Sequence, residues 1–390
     1  MIYPCCGRIL THLADGQVCI LKARPITICK RVLRVAACKR TGVYALMTHS
    51  GRILAGFKDC NCPEDITDLI PEAHREELLG SKRSNNIEIL LSARSYASSL
   101  STLAIKTRTS ISFIDIGDRV ASDTGKVRAT YLGTEVFSSG IDTFGFDSWY
   151  AAVQTSSNLH LIKVGFRNIM AWYVSREVKP LLTCYKTENI QQIVCANERI
   201  FLLKQNGTVS MIHSDMAGQV EIFSKEPVTK IIADWPHIFF ITTKGLCYYL
   251  NYNVSECNSP RLIRALECYH IENIFIAEKQ VIFQYDGGRL CSLVLAFREF
   301  EYTTEIDPLY MAPFAHPYLL PFGEDMGIIS VESMGSYVAF TTYEGRVYLA
   351  LAQNLESQPL TEIQFFVENP LMIRDRVTAI KSAGSDPRDA

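Results

Sequence analysis

Three carboxylates in this sequence are the residues best placed for acid–base chemistry. Each comes just past a short apolar run, and they are Asp234, Glu278 and Glu332. Enzymes that hydrolyse glycosidic bonds use such carboxylates in pairs, one as an acid and the other as a base or nucleophile. Acidic loop residues are more often solvated than catalytic, so we favour that interpretation. Because the sequence also lacks the G-x-x-x-x-G-K-[ST], G-x-S-x-G and H-E-x-x-H motifs, it predicts no enzyme and no catalytic residue.

The cysteines and histidines were considered as metal ligands. Cys5-Cys6 and Cys60-x-Cys62 could together offer four thiolates to zinc, but neither pair has the usual separation of zinc ligands. The eight histidines are dispersed; we expect His49 to be solvated, and His12 and His160 to pair with backbone. The sequence therefore predicts no metal and no cofactor. Other cysteines in apolar runs are expected to be reduced and buried, among them Cys19, Cys38, Cys195, Cys247 and Cys291.

A short phrase occurs eight times along the chain: an apolar run, often a Thr, a tight polar turn and a second apolar run. Such a phrase predicts a β-hairpin, because β-branched and aromatic residues suit strands and Gly or Asn accepts a positive φ in the turn. The turn positions are Gly16, Gly51, Ser110, Asn158, Gly207, Gly245, Gly288 and Gly345. Five copies carry a Thr three residues before the turn, to which we assign a structural role: Thr48, Thr107, Thr155, Thr242 and Thr342.

A further apolar strand precedes many of the hairpins by about ten residues, so the repeating unit has at least three strands. One unit cannot bury both faces of its small sheet, whereas a closed set of units can. The pattern predicts an all-β fold, a single β-propeller over residues 1–390, with seven blades favoured and eight possible. The stretch Arg376–Ser385 copies the leading strand without a hairpin, so we expect the last blade to be shared between the N- and C-terminal strands.

The pairing of V-x-x-I-A with A-L-T-x-x-G-x-V-Y resembles the repeat of the regulator-of-chromosome-condensation family, most closely at Val228–Leu250 and Ile328–Ala350. The resemblance extends thinly over nearly the whole chain and implies a seven-bladed propeller whose blade is shared across the termini. It also implies guanine-nucleotide exchange on a Ran-like small GTPase. Such a factor needs a wedge against the phosphate-binding loop of its GTPase. The loops Ile116–Gly133 and Glu299–Gly327 are where we expect a wedge.

Two insertions interrupt the repeats, and loops are where propellers carry function. The insertion at about residues 58–86 predicts short helical turns that end at Gly80 and either pack on the propeller or bind a partner. The insertion at residues 298–327 alternates Pro with aromatic residues and Met, a composition typical of interface hot spots, although these residues could instead cap the hydrophobic end of the propeller. Its candidate partner-binding residues are Tyr310, Met311, Phe314, His316, Tyr318 and Phe322.

Composition limits the remaining function classes. The net charge is −2 and the charges are interspersed, so direct binding to nucleic acid is not expected. No apolar run is long enough for a membrane span and no targeting signal is present, which predicts a cytoplasmic or nuclear protein with a flexible tail at 386–390. Taken together, the sequence predicts a non-enzymatic scaffold that binds protein partners through rim loops. The alternatives are a GTPase exchange factor and, more distantly, a propeller hydrolase.

Overall fold

The fold is almost entirely antiparallel β-sheet, and the β-propeller class that the repeats predict is confirmed. The structure is a computed structural model. The structure describes residues 2–5, 8–12, 17–20, 26–29, 31–38, 41–57, 63–80, 87–93, 101–118, 127–147, 150–156, 158–164, 185–186, 189–196, 199–213, 219–223, 226–234, 237–251, 259–277, 280–294, 318–321, 326–334, 337–342, 346–351, 361–363, 365–367 and 373–375.

The chain divides into two compact units, and each is described by itself. One comprises Arg31–Lys244 and Tyr248–Leu262, and the other comprises Met1–Lys30, Gly245–Cys247 and Ile263–Ala390. In the described residues the strands form eight four-stranded sheets and one two-stranded ribbon. We number the four-stranded sheets 1 to 8 in chain order; in each, strands that are consecutive in sequence are neighbours.

The first of these units holds sheets 2 to 6, except that Cys247 of sheet 6 belongs to the other unit. Its strands, in chain order, are β5 Val32–Ala37, β6 Val43–Thr48, β7 Ile53–Phe57, β8 Glu64–Asp65, β9 Glu88–Ala93, β10 Ser101–Lys106, β11 Ser110–Asp118, β12 Val127–Val136, β13 Ile141–Phe146, β14 Tyr150–Thr155, β15 Asn158–Lys163, β16 Tyr185–Lys186, β17 Ile190–Ala196, β18 Arg199–Lys204, β19 Val209–His213, β20 Gln219–Phe223, β21 Val228–Asp234, β22 His237–Thr242, β23 Cys247–Asn251 and β24 Arg261–Leu262. Helix α1 is Glu72–Gly80, preceded by a 3-10 turn at Thr67–Leu69.

The other unit holds sheets 1, 7 and 8 and the ribbon. A 3-10 turn at Arg264–Leu266 precedes its sheet 7. Its strands are β1 Ile2–Cys5, β2 Arg8–His12, β3 Val18–Ile20, β4 Ile26–Cys29, β25 Ile271–Ala277, β26 Gln280–Tyr285, β27 Arg289–Val294, β28 Tyr318–Leu319, β29 Ile328–Met334, β30 Tyr337–Thr342, β31 Val347–Leu351, β32 Thr361–Ile363, β33 Phe365–Val367 and β34 Ile373–Asp375.

The sheets and the chain ends can be compared with the seven or eight blades that the sequence predicts. The described strands make eight four-stranded sheets, the larger of the two numbers considered, because the irregular phrase at Ser110 forms a full hairpin with its own flanking strands β9 and β12. The four described strands of sheet 1 all come from residues 2–29. Its leading strand, Ile2–Cys5, was too short to recognise in the sequence. Arg376–Ser385 lies outside the described residues.

The hydrophobic core is divided among the interfaces between consecutive sheets. Sheets 5 and 6 share one cluster, built around Phe201, Phe223 and Phe240, and sheets 4 and 5 share another around Leu161, Ile193 and Leu202. In the other unit, sheets 7 and 8 share a third cluster that includes Phe275 and Phe340. Each small sheet therefore buries its apolar surface against its neighbours, which is how repeat architectures gain stability.

Two of the turn residues bond to the leading strand of the next sheet. Gly51, Gly207, Gly245 and Gly288 all have positive φ. The carbonyl oxygen of Gly207 accepts the N–H of Val228 at 2.8 Å, and that of Gly245 accepts the N–H of Ile271 at 2.9 Å. Asn158 differs from the expectation, since it is the first residue of β15 and pairs with Thr155. Gly16 and Gly345 lie outside the described residues.

The Thr residues that recur three positions before the turns bond to the turn backbone. Thr48 Oγ1 accepts the N–H of Arg52 at 3.1 Å, Thr107 Oγ1 accepts that of Ser110 at 3.0 Å, and Thr342 Oγ1 accepts that of Arg346 at 3.2 Å. Thr155 Oγ1 lies 3.5 Å from the carbonyl oxygen of Asn158. These hydroxyls satisfy backbone groups that would otherwise lack a partner at the hairpin end.

Candidate functional site

The second insertion enters the described part of the chain at β28, the outermost strand of sheet 7. Tyr318 pairs with Ser292 and Leu319 pairs with Cys291. Leu319 is 58% exposed, whereas the next residue, Leu320, is buried in the cluster between sheets 7 and 8. Leu320 therefore anchors the end of the insertion and Leu319 presents an apolar side chain beside it. The other five candidate residues, Tyr310, Met311, Phe314, His316 and Phe322, lie outside the described residues.

Helix α1 of the first insertion packs against sheets 2 and 3. Leu78, together with Ile66 and Ile70 of the segment before the helix, is buried in the cluster that also contains Ile89 and Leu103. This packing is the first of the two roles that the sequence left open for the insertion. Because these side chains fill the core, they are not free to bind a partner.

The Glu77 carboxylate fixes the helix to the turn of the β10–β11 hairpin. Its Oε1 accepts both the N–H and the Oγ1–H of Thr109 at 3.1 Å, and its Oε2 accepts the hydroxyl of Ser110 at 3.0 Å. Burial by itself raises the pKa of Glu77, but hydrogen bonds from Thr107, Ser110 and Thr109 outweigh burial and hold the pKa below its ordinary value. The turn therefore binds the charged form of Glu77.

His237 and Tyr249 form the buried polar pair of sheet 6. His237 Nδ1 lies 2.8 Å from the Tyr249 hydroxyl. Burial lowers the pKa of His237 to about 4, although Asp234 opposes the shift, and burial raises the pKa of Tyr249. A general base at neutral pH needs a pKa near the working pH. His237 is therefore suited to holding β22 and β23 together rather than to proton transfer.

Two of the three carboxylates that suggested hydrolase chemistry lie in described strands. Asp234 ends β21 beside His237, Glu332 lies in β29 of the other unit, and Glu278 lies outside the described residues. Among the residues that the structure describes, no group of three His, Cys, Asp or Glu is arranged to hold a metal ion. Cys6, Cys60 and Cys62 lie outside that part of the chain.

The remaining reactive groups are buried thiols and two histidines. Cys38, Cys247 and Cys291 are buried, and burial raises the pKa of Cys291 to about 12. A thiol with a raised pKa is a poor nucleophile, so Cys291 acts as a small apolar residue. His160 Nε2 lies 3.1 Å from Thr155 Oγ1, and its ring meets Phe137 edge-on. His49 is exposed, as the sequence predicted.

The hairpin β11–β12 of sheet 3 is a feature that the sequence analysis treated as a loop. Ile116–Asp118 continue β11 and Val127–Gly133 belong to β12, so the described residues of the expected loop Ile116–Gly133 lie in strands. Its strands have nine and ten residues, longer than the typical five or six. The alternation in "ISFIDIGD" and "VRATYLG" is the sequence signal that could have revealed them.

Comparisons with known proteins find distant likenesses among solved structures only. No family model and no curated protein matches this chain. Among solved structures it is similar to Hsv2p of Kluyveromyces lactis, at 8% identity over 86% of this chain and 98% of that one, with a TM-score of 0.49. It is similar to the computationally designed Ika8 protein at 9% identity over 90% and 95% of the two chains, with a TM-score of 0.49.

A third similar structure is Prp20p of Saccharomyces cerevisiae, which was studied for binding to Gsp1p and histones. Its identity is 11% over 80% of this chain and 83% of that one, with a TM-score of 0.45. At such identities the likeness concerns the fold alone, and no site residue is transferred. In the described part of this chain, no helix is long and apolar enough to cross a membrane.

Proposed function

We propose that this protein is a non-enzymatic interaction scaffold that binds a protein partner at the outer edge of sheet 7. The observation that carries the proposal is Leu319, which is 58% exposed on the outermost strand. It continues the Pro- and aromatic-rich insertion at 298–327, whose Tyr310, Met311, Phe314, His316, Tyr318 and Phe322 supply the residue types of interface hot spots.

The edge position itself favours binding. A strand at the edge of a sheet presents backbone donors and acceptors to an incoming segment, and neighbouring side chains decide which segment binds. Leu320 is 8% exposed and holds the strand in place. Leu319 therefore adds apolar contact area without needing a rearrangement of the core, and partner binding buries it.

We expect Leu319→Asp to remove partner binding while leaving the fold intact, since a charge on an exposed edge disfavours apolar docking at little cost to the free protein. The measurement is quantitative affinity capture with the full chain, comparing the recovered proteins with those captured by the unsubstituted chain. The matched control is Val220→Asp, at a side chain 45% exposed on the outermost strand of sheet 5. Loss with both variants, or with neither, contradicts the proposed edge, as does unchanged capture after deletion of Pro308–Pro321.

A second candidate function is nucleotide exchange on a Ran-like small GTPase, which the repeat resemblance implies. The observation that favours it is the long β11–β12 hairpin, because an exchange factor needs a projecting element that reaches the nucleotide site. The test is the release of labelled GDP from Ran and a panel of other small GTPases in the presence of the full chain. An acceleration of about tenfold for one GTPase establishes exchange, and no acceleration with any member removes this candidate.

A further inference from the structure

Strand β12 (Val127–Val136) is the outermost strand of sheet 3, and its sequence, VRATYLGTEV, is complementary to itself in the antiparallel direction. When the strand is laid against a second copy running the opposite way, Arg128 faces Glu135 and Val127 faces Val136. The small residues Ala129 and Thr134 also face each other. Directly opposite residues of an antiparallel pair interact most strongly, so a match of charges at these positions selects this register.

The complementarity depends on a bulge that the structure reveals. In a regular strand, Arg128 and Glu135 would point to opposite faces, because an odd number of steps separates them. Here Gly133 pairs with Phe113 and Tyr131 pairs with Ile114, so one residue of β12, Leu132, is extra. The bulge restores the alternation that the self-pairing needs.

The register against β11 confirms which side chains share a face. Arg128 pairs with Gly117 and Glu135 pairs with Ile111, two β11 residues an even number of steps apart and therefore on one face. The two valines pair with Asp118 and Ser110, which are on the opposite face. Each facing pair in the self-paired arrangement thus joins side chains on the same side of the sheet.

The side chains that would meet a second copy reach solvent, except that of Val127, which is buried in the core. Arg128 is exposed, Val136 is 64% exposed, and Glu135 is half-buried. Burial raises the pKa of the Glu135 carboxyl, and within the described chain neither Glu135 nor Arg128 forms an ion pair. At the start of the strand the N–H of Val127 is already bound to Glu64 Oε1 at 3.1 Å, so the free edge begins at Arg128.

We propose that β12 is a homodimerisation edge: two copies of this chain pair antiparallel through it, with Arg128 of each facing Glu135 of the other. The contact is isologous, since the same edge is used twice about a two-fold axis. It joins two four-stranded sheets into one continuous sheet. Among the described strands, none pairs with the outer edge of β12. Pairing with a second copy gives this edge backbone partners and brings each of its two charged side chains opposite a charge of the other sign.

The test is sedimentation equilibrium of the full chain over micromolar concentrations. Arg128→Glu alone places two acidic side chains opposite each other at each of the two contacts. Glu135→Arg alone places two basic side chains opposite each other there. We expect each single variant to dimerise at least about tenfold more weakly than the unsubstituted chain. An equimolar mixture of the two single variants should recover dimers, because each substituted position then faces its opposite charge. The double variant should recover them as well.

The matched control is Glu221→Arg, the same charge change at an exposed position on β20, the outermost strand of sheet 5. It should leave dimerisation unchanged. Circular dichroism of every variant verifies that the sheets are formed. The proposal is overturned if the unsubstituted chain is monomeric throughout, if the single variants dimerise as it does, or if the mixture of single variants stays monomeric.

Discussion

Phe240→Ala is expected to lower the free energy of unfolding by about 3–5 kcal/mol, the usual cost of truncating a buried Phe. Phe240 is fully buried in the cluster between sheets 5 and 6. Its ring stacks on Phe223 at 6.2 Å between centroids and meets Phe201 at 6.3 Å and 66°. Truncation therefore removes apolar burial and two ring contacts, and it leaves a cavity between sheets 5 and 6.

The measurement is urea unfolding followed by circular dichroism and by intrinsic fluorescence. Val220→Ala is the control, since Val220 is exposed on the edge of sheet 5 and its truncation should change stability by no more than about 0.5 kcal/mol. A loss at Phe240 as small as the loss at Val220 would show that the interface between sheets 5 and 6 does not stabilise this unit.

Gly207→Ala is expected to cost about 2–5 kcal/mol of stability, the sum of an unfavourable backbone conformation and overpacking. Gly207 has φ +81, and a Cβ there would lie 2.6 Å from Pro227 Cα and 2.9 Å from Val228 N. These are backbone atoms at the start of β21, so they cannot move aside as a flexible side chain would. The same N–H of Val228 is bound to the Gly207 carbonyl, so relief of the clash also breaks this hydrogen bond.

Gly287→Ala separates the two contributions. Gly287 has φ +79, but a Cβ there would meet no atom within 4 Å, so only the conformational cost of about 1–2 kcal/mol is expected. Thermal and urea unfolding of both variants measure the difference. Equal losses for Gly207→Ala and Gly287→Ala would contradict a role for Gly207 in joining sheet 5 to β21 of sheet 6.

Much of the local structure could be predicted from the sequence because the hairpin interactions are local. The positive φ at Gly51 and Gly207, and the hydrogen bonds of Thr48 and Thr107 to the turns, involve residues only a few positions apart. Apolar runs likewise predicted the buried strands. The terminal blade was harder, because Ile2–Cys5 has too few residues for an alternating pattern to be recognised.

Contacts between sheets could not be predicted, since they join residues of different repeats. Gln192 donates to the carbonyl of Ile231 and accepts its N–H, both at 2.9 Å, thereby tying the leading strand of sheet 5 to that of sheet 6. Arg34 donates to the carbonyl of Ile87, just before sheet 3, at 3.2 Å. In the sequence these polar residues are indistinguishable from solvated ones.

The sequence by itself determined the all-β propeller class and the turns at Gly51, Gly207, Gly245 and Gly288, because alternation and turn residues act over a few neighbouring positions. Only the tertiary structure decided that Glu77 docks the insertion helix and that Leu319 is exposed beside a buried Leu320. It also decided that Arg128 and Glu135 share a face of β12. That last outcome rests on a bulge, which forms where two strands are paired and leaves no mark in the periodicity of either strand alone.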